Sequence, residues 1–218
     1  TTEARWLTDG RRLLRWVRYG LHSLAGRKED QLHFARQREL SQRLGFMDTE
    51  SKSAVELFMQ HYYRHVMALS DVNDIVLQHF QEDMTAKKRP SLERLNDRFR
   101  LINRRIDITE PDVFLRNPSA MLEMFFLMAQ REENTRVRVR TIRALREAVH
   151  LIDDDFRCDP ENCRLFLSIL KSPYTVVTQL TLMRRYGVLG RYLPAFGDIV
   201  GQMQHDLFHI YTVDAHTM

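Results

Sequence analysis

Hydrophobic side chains recur at spacings of three and four residues along most of the chain, which is the period of an α-helix. The first such segment covers about residues 5–25 and ends before Gly26. A second covers about residues 33–44 and ends before Gly45. Both glycines suit the left-handed conformation that closes many helices, so the pattern predicts two consecutive helices.

The longest periodic segment covers about residues 49–84, and Asp48 is expected to cap its start. Its length suits a helical bundle. The apolar positions predict a buried stripe formed by Val55, Phe58, Met59, Tyr62, Val66, Leu69, Asn73, Val76 and Phe80. The sequence Lys87-Lys-Arg-Pro90 then breaks the helix, which puts the main internal boundary there.

The stretch 99–108 is the only one with the pattern of a strand, and we expect at most a short extended segment or a small hairpin there. Further helices are predicted to begin near Thr109, Asn117, Thr135, Asp159 and Ser172, several with proline in the first turn. The predicted fold class is all-α. We expect a helical bundle over 1–86, a second helical layer over 87–200, and a distinct terminal stretch over 201–218.

Composition narrows the function classes only slightly. The net charge of +4, from 33 basic and 29 acidic residues, is only weak evidence for a nucleic-acid binder, because such proteins usually carry a segregated basic face. No apolar run is long enough to predict a membrane span. Cys158 and Cys163 are expected to be free thiols in a reducing cytoplasm. No glycine-rich phosphate loop is present, so a self-contained kinase is not expected.

Titratable side chains concentrate in the terminal stretch, which contains His205-Asp206, His209 and His216. A metal-dependent phosphohydrolase needs ligands from several helices, and neighbouring residues of one helix point about 100° apart, so the pair alone proves little. Asp214 is expected to cap a helix whose first turn is 215–217. The chain stops before that helix can form, which predicts that it is a piece of a longer protein.

Two other polar groups allow alternative interpretations. Arg36, Gln37 and Arg43 could contact a phosphate or a base edge, or form a solvated helix face. His61 and His65 have the spacing of two metal ligands on one helical face, or they too are solvated.

The arginines of the helix predicted from Thr135 form a third group. Arg136, Arg140 and Arg143 share a face and could bind an anion or an acidic partner. The alternative is an ordinary surface helix in which arginines pair with glutamates such as Glu147.

The run Ile199–Met218 resembles the bacterial bifunctional uridylyltransferase/uridylyl-removing enzymes, which modify the PII nitrogen-signalling protein. The stretches 164–171, 188–194 and 32–44 carry the same resemblance, so it extends over essentially the whole chain. The resemblance implies the helical region of that family, up to the start of its HD domain.

The resemblance also implies the organisation of the intact enzyme. A nucleotidyltransferase domain that uses carboxylate-held Mg²⁺ transfers UMP from UTP to PII, and a metal-dependent HD domain removes it. Two ACT domains sense glutamine. This chain lacks the transferase elements and nearly all of the HD domain, so we expect no catalytic residues, no bound Mg²⁺ or Mn²⁺, and neither activity. Nucleic acid and membrane are not expected as partners, and a homodimer is possible.

Residue roles follow from the same resemblance. His216 corresponds to the first metal ligand of the HD domain, in an incomplete site. His205-Asp206 would then lie upstream of the true His-Asp pair. The residues expected to face the nucleotidyltransferase domain and its nucleotide are Arg27, Asp30, Arg36 and Gln37, and more weakly Asp71 and Asn73. A free-standing metal-dependent phosphohydrolase and an Arg-rich helical interaction module are the alternatives.

Overall fold

The computed structural model describes residues 2–85, 90–131, 135–203 and 212–217. Most of these residues are helical, which confirms the predicted class, and one small sheet accompanies the helices. The helices are α1 (Thr2–Ala25), α2 (Phe34–Arg43), α3 (Ala54–Thr85), α4 (Val113–Arg116), α5 (Ala120–Ala129), α6 (Val139–Ala148), α7 (Asp154–Cys158), α8 (Pro160–Leu170), α9 (Val176–Arg185), α10 (Val188–Tyr192), α11 (Pro194–Ile199) and α12 (Val213–Thr217). The strands are β1 (Leu92–Arg94), β2 (Phe99–Ile102), β3 (Arg105–Ile108) and β4 (Arg136–Val137).

The chain divides into two compact units. Unit 1 contains Thr1–Val76 and Asp198–Thr217, and unit 2 contains Leu77–Gly197. The division falls within α3. The predicted domain boundaries after residues 86 and 200 stay predictions, because compactness within one chain does not test which parts fold alone. Among the described helices, none has both the length and the apolar character needed to cross a membrane.

Three helices enclose the core of unit 1, as the apolar spacing predicted. Its fully buried members are Val17 and Leu21 of α1, Leu40 of α2, and Val55, Phe58 and Met59 of α3. Gly20 allows α1 and α2 to approach closely, because a Cβ atom at that position would lie 2.3 Å from a methyl group of Leu40.

The start of α3 differs from the prediction. The helix begins at Ala54, five residues later than expected, and Ser53 and Glu56 form a reciprocal capping box. The Ser53 N–H donates to Glu56 Oε2 at 2.8 Å, and the Glu56 N–H donates to Ser53 Oγ at 3.4 Å. Asp48 still contributes, since its Oδ1 accepts a 2.7 Å bond from the Ala54 N–H across the preceding turn. The sequence Ser-x-x-Glu was therefore the better signal for this helix start.

The predicted buried stripe of α3 is right for its first half and wrong for its second. Val72 and Ile75 are buried, whereas Val76 and Phe80 are exposed. The buried face shifts by one residue because α3 has different neighbours along its length. Its first half packs on α1 and α2, and Gln78 donates further along to the carbonyl of Val137 at 2.5 Å.

The stretch 99–108 is a β-hairpin, as the pattern allowed. Asn103 and Arg104 form its turn with φ angles of 51° and 60°, the left-handed geometry of a tight two-residue hairpin. Strand β1 extends the sheet beyond β2, and β4 pairs in parallel with β3 through Ile106 and Val137. The predicted helix start at Thr135 is wrong, because pairing with β3 holds residues 136–137 extended and delays α6 to Val139.

A buried carboxylate connects the sheet of unit 2 to α6. Asp107 is 0% exposed and accepts bonds from Arg140 at 2.5 and 2.8 Å and from Arg100 at 3.1 Å. The Thr141 hydroxyl lies 3.4 Å from the same carboxylate. Because an unpaired buried charge is strongly unfavourable, these contacts fix β2, β3 and α6 against each other.

Two other predicted helix starts have opposite outcomes. Asp159 is confirmed as a cap, since its Oδ1 accepts from the N–H groups of Glu161 at 2.8 Å and Asn162 at 3.0 Å. Ser172 does not start a helix. Its hydroxyl instead donates to the carbonyl of Ala129 at the end of α5, and α9 begins only at Val176.

The capping box of α3 predicts a stability effect. Replacing Ser53 with alanine removes one side-chain acceptor and should lower the free energy of unfolding by about 1 kcal/mol. Urea unfolding followed by circular dichroism measures it. Ser51→Ala, at an exposed position in the same turn, is the control and should change little. Equal effects of the two substitutions would contradict the capping role.

The Asp107 network predicts a larger effect. Arg140→Met leaves a fully buried carboxylate with fewer cationic partners, so it should lower the free energy of unfolding by about 3 kcal/mol. Arg116→Met is the matched control, because Arg116 is 75% exposed and its pair with Asp112 should contribute at most about 1 kcal/mol. Chemical denaturation of both variants tests this difference, and similar losses would mean that burial of Asp107 is unimportant.

Candidate functional site

The predicted nucleotide-facing residues begin at the turn between α1 and α2, here called the α1–α2 corner (residues 18–37). Arg18 Nε lies 2.8 Å from Asp30 Oδ1, and His22 Nε2 lies 3.3 Å from the same oxygen. The hydrogen bond from His22, reinforced by the Arg18 guanidinium, lowers the pKa of the Asp30 carboxyl. Asp30 is therefore held by Arg18 and His22, neither of which sequence reasoning had singled out.

Arg27 and Arg36 occupy the same corner. Arg27 is exposed and lies 3.7 Å from the Glu29 carboxylate. Arg36 Nη1 donates to the carbonyl of Leu24 in the last turn of α1 at 3.3 Å and to Glu39 at 3.2 Å. Arg36 thus satisfies a terminal carbonyl of α1, which gives it a structural role.

Gln37 is buried beneath the α1–α2 corner. Its Nε2 donates to the carbonyl of Leu32 at 3.3 Å, and its Oε1 has no hydrogen-bond partner among the described residues. Asp71 is half-buried on α3 and Asn73 is exposed there. The first four predicted residues therefore lie at the α1–α2 corner, and each contacts a partner outside the predicted set. That any of the six faces a nucleotide stays a prediction.

A pocket of about 290 Å³ lies between α1 and α3 in unit 1. It is lined by Asp9, Arg12, Leu13, Trp16, Leu44, Phe46, His61 and His65. Arg12 stacks over the ring of Trp16, with the guanidinium carbon 5.7 Å from the ring centroid. Four of these eight side chains carry aromatic rings, two are leucines, and the other two are an aspartate and an arginine.

His61 and His65 meet at this pocket, as their four-residue spacing requires. Their ring centroids are 4.3 Å apart, and His65 Nδ1 donates to the His61 carbonyl at 2.9 Å. Burial, with smaller contributions from His65 and Arg64, lowers the pKa of His61. In the described ranges no three His, Cys, Asp or Glu side chains are arranged to hold a metal ion, so two ligands here lack a third.

A second polar site in unit 1 lies where the turn after α11 meets α3. Gln60 Nε2 donates to two backbone carbonyls, those of Asp198 at 2.7 Å and Val200 at 3.1 Å. Arg64, one helical turn later, donates to the Val200 carbonyl at 2.9 Å. Two side chains of α3 therefore bind the backbone of this turn.

Gly201 completes this arrangement, which we call the clasp (Gln60, Arg64, Gly201 and Asp214). Gly201 has a φ of +71°, and its N–H donates to Asp214 Oδ1 at 2.9 Å. Asp214 is 0% exposed and lies inside α12, which begins at Val213. The expectation that Asp214 caps a helix starting at residue 215 is therefore wrong, because its carboxylate binds the Gly201 N–H instead.

His216, the predicted metal ligand, is exposed on α12 two residues after Asp214. An imidazole fits Mn²⁺ or Zn²⁺ better than Mg²⁺, which prefers oxygen ligands. His216 could supply one such ligand, and the described residues supply no complete set around it. The predictions for His205, Asp206 and His209 lie outside the described residues.

The Arg-rich segment of unit 2 is paired with carboxylates. Arg140 binds Asp107, and Arg138 Nε lies 3.4 Å from Glu82 Oε2. Pairing of these arginines with carboxylates was one of the two interpretations of this segment. The partners are Asp107 and Glu82, whereas the sequence analysis proposed glutamates such as Glu147. Arg136 and Arg143 are exposed, and binding of an anion by them stays a prediction.

Comparison with known proteins identifies the family to which these sites belong. Residues 1–77 match the family model described as GlnD PII-uridylyltransferase, and residues 99–192 match the model of the uridylyltransferase GlnD third domain. The bifunctional uridylyltransferase/uridylyl-removing enzyme of Pseudomonas aeruginosa strain LESB58 is 52% identical over 218 residues, which is 100% of this chain. The chain belongs to this family.

Other members of the uridylyltransferase/uridylyl-removing enzyme family match to a similar degree. The enzyme of Pseudomonas putida strain KT2440 is 55% identical over 203 residues, and that of Pseudomonas savastanoi pv. phaseolicola is 50% identical over 212 residues. These matches cover 93% and 97% of this chain. The chain spans about a quarter of the length of these relatives, 24% for the P. aeruginosa enzyme. No solved structure matches the chain.

The sites of this uridylyltransferase-family chain lie in different matched regions. The α1–α2 corner and the aromatic pocket lie within residues 1–77, and the Asp107 network lies mainly within 99–192. Of the clasp, Gln60 and Arg64 fall inside the first match, and Gly201 and Asp214 lie beyond both. Sequence reasoning missed Gln60 and Arg64 because their partners are backbone carbonyls more than 130 residues away, which no local pattern marks.

The lowered pKa of His61 predicts a pH dependence. A folded-state pKa below the ordinary 6.5 means that the unfolded chain binds the proton more readily, so stability should fall as the pH drops below that value. In His61→Gln the loss of stability between about pH 8 and about pH 5 should be smaller than in the unsubstituted protein. Urea unfolding across that range measures it.

The control for this pH effect is His33→Asn. His33 is exposed before α2 and makes no side-chain cap bond. This variant should keep the pH dependence of the unsubstituted protein. A pH profile that is the same in His61→Gln and in the unsubstituted protein would show that His61 is not the responsible group.

Proposed function

We propose that this chain is the helical scaffold of a longer bifunctional enzyme, joining a nucleotidyltransferase part to a metal-dependent hydrolase part, and that it is inactive by itself. The observation that carries the proposal is the match over all 218 residues to enzymes of which the chain spans 24%. The contacts of the described residues support a scaffold role, because polar side chains such as Asp30, Gln60 and Asp107 form ion pairs or bind the backbone.

The proposed reactions belong to the intact protein. It transfers UMP from UTP to a tyrosine hydroxyl of PII with release of pyrophosphate, and it hydrolyses the same phosphodiester to release UMP. The name of the related enzymes and the PII-uridylyltransferase family model support both activities and PII as the partner. We further propose Mg²⁺ or Mn²⁺ as the metal, glutamine as the regulatory ligand, and a cytoplasmic location, where Cys158 and Cys163 would remain free thiols.

Unit 1 is the part we propose to contact the nucleotidyltransferase domain. Helix α1 exposes large apolar side chains next to the α1–α2 corner: Trp16 is 56% and Tyr19 is 70% exposed. A groove of about 630 Å³ runs between α1 and Leu69 of α3, with Arg11 and Arg15 along it. Apolar surface of this kind is typical of an interface, and a second copy of the chain is the alternative occupant.

The scaffold role predicts the outcome of an activity assay. The purified chain, mixed with PII, labelled UTP and Mg²⁺, should neither label PII nor remove UMP from uridylylated PII. The intact protein containing this chain should do both under the same conditions. Gel detection of labelled PII measures the transfer, and loss of label measures its removal.

Two results would overturn the scaffold proposal. Uridylylation of PII by the chain alone would place a transferase site within it. Stoichiometric Mn²⁺ binding and phosphodiester hydrolysis by the chain, both lost in His216→Ala, would favour the free-standing phosphohydrolase.

A further inference from the structure

We propose that the clasp is a positioning device, in which α3 fixes the segment that carries His216. Gln60, Arg64, Gly201 and Asp214 would then be positioning residues for the uridylyl-removing reaction. This inference rests on the proposed function for its activity readout, and it has a structural readout that does not.

The first support is the pairing of backbone groups in the turn after α11. The carbonyls of Asp198 and Val200 both accept from Gln60, and that of Val200 also accepts from Arg64. The Gly201 N–H, which in a surface turn would bond to water, donates to the buried Asp214. A turn whose polar groups bind protein partners is held in one conformation.

The second support is the shape of the contact. A Cβ atom on Gly201 would lie 3.0 Å from Arg64 Cγ and 3.2 Å from the Gln60 carbonyl oxygen, so the turn rests directly on α3. The φ of +71° at Gly201 is one that L side chains rarely adopt. Only glycine therefore meets both requirements without strain.

The third support is the orientation of the Gln60 amide. Lys52 Nζ donates to Gln60 Oε1 at 3.0 Å, which leaves the Gln60 NH₂ group to point at the two carbonyls. The amide is thus held at both ends. A glutamine that only filled space would not need its oxygen paired with an ammonium group.

The fourth support links the clasp to His216. The Val213 N–H donates to the Gln202 carbonyl at 2.7 Å, which ties the start of α12 to the same turn. Asp214 and His216 are two residues apart, about 200° around a helix, so they lie on nearly opposite sides. Asp214 is accordingly buried against Gly201 and His216 is exposed.

The position of His216 should therefore depend directly on α3. Because catalytic groups must be held to within fractions of an ångström, loosening α12 should slow uridylyl removal much more than UMP transfer. No residue of the clasp needs to touch the substrate for this effect.

The test uses the intact protein with substitutions at the clasp. Gln60→Glu keeps the size and removes both donated bonds, and Asp214→Leu removes the acceptor for Gly201. In each, kcat for uridylyl removal should fall roughly ten- to hundredfold, with KM for uridylylated PII and the rate of UMP transfer unchanged. Asp214→Asn retains an acceptor oxygen and should restore most of the removal rate. Ser70→Ala, at an exposed position of α3, is the control.

Hydrogen–deuterium exchange of peptides covering 198–203 and 212–217 supplies the structural readout. Exchange should be faster in Gln60→Glu and Asp214→Leu than in Asp214→Asn or Ser70→Ala. Unchanged exchange, or equal losses of transfer and removal together with global destabilisation, would overturn the clasp as a positioning device. If the unsubstituted intact protein lacks both activities, the proposed function is wrong, and the exchange result still decides whether the clasp holds the segment.

Discussion

A fully buried carboxylate needs hydrogen-bond donors or cations inside the protein, and in unit 2 one such carboxylate, Asp107, joins the sheet to α6. The partners of Asp107 are Arg100 on β2 and Arg140 on α6. Glu82, near the end of α3, extends the same pattern by accepting from Arg138 and from the Val139 N–H at the start of α6. Together with the pairing of β4 on β3, these contacts hold the start of α6 at Val139.

The same rule applies in unit 1, where side chains of α3 donate to backbone carbonyls. The turn after α11 presents backbone carbonyls to α3, and Gln60 and Arg64 satisfy them. Asp214 accepts from the N–H of Gly201. Buried or half-buried polar groups thus specify which segments meet, while the apolar core of α1, α2 and α3 supplies most of the stability.

In the proposed scaffold role, this chain contributes the placement of neighbouring parts and no chemistry of its own. Conspicuous polar groups of this chain are paired with each other, as Asp30 is with Arg18 and His22. A scaffold contributes to catalysis by holding the ends of neighbouring parts in fixed positions, and the clasp is the clearest such contact in the described residues. It joins α3 to the segment with His216.

The sequence by itself determined the helical class, the first two helices, the core face of early α3 and the family. Helical periodicity and long sequence matches depend only on residues that are near one another along the chain, so they can be recognised without the fold. The sequence even contained the correct start of α3, in Ser53 and Glu56. Only the tertiary structure decided that residues 136–137 are a strand, that the buried face of α3 shifts near Ile75, and that Asp214 binds Gly201. Each of these depends on a partner distant in sequence, and a pattern along the chain carries no record of which distant group will supply a hydrogen bond or a packing surface.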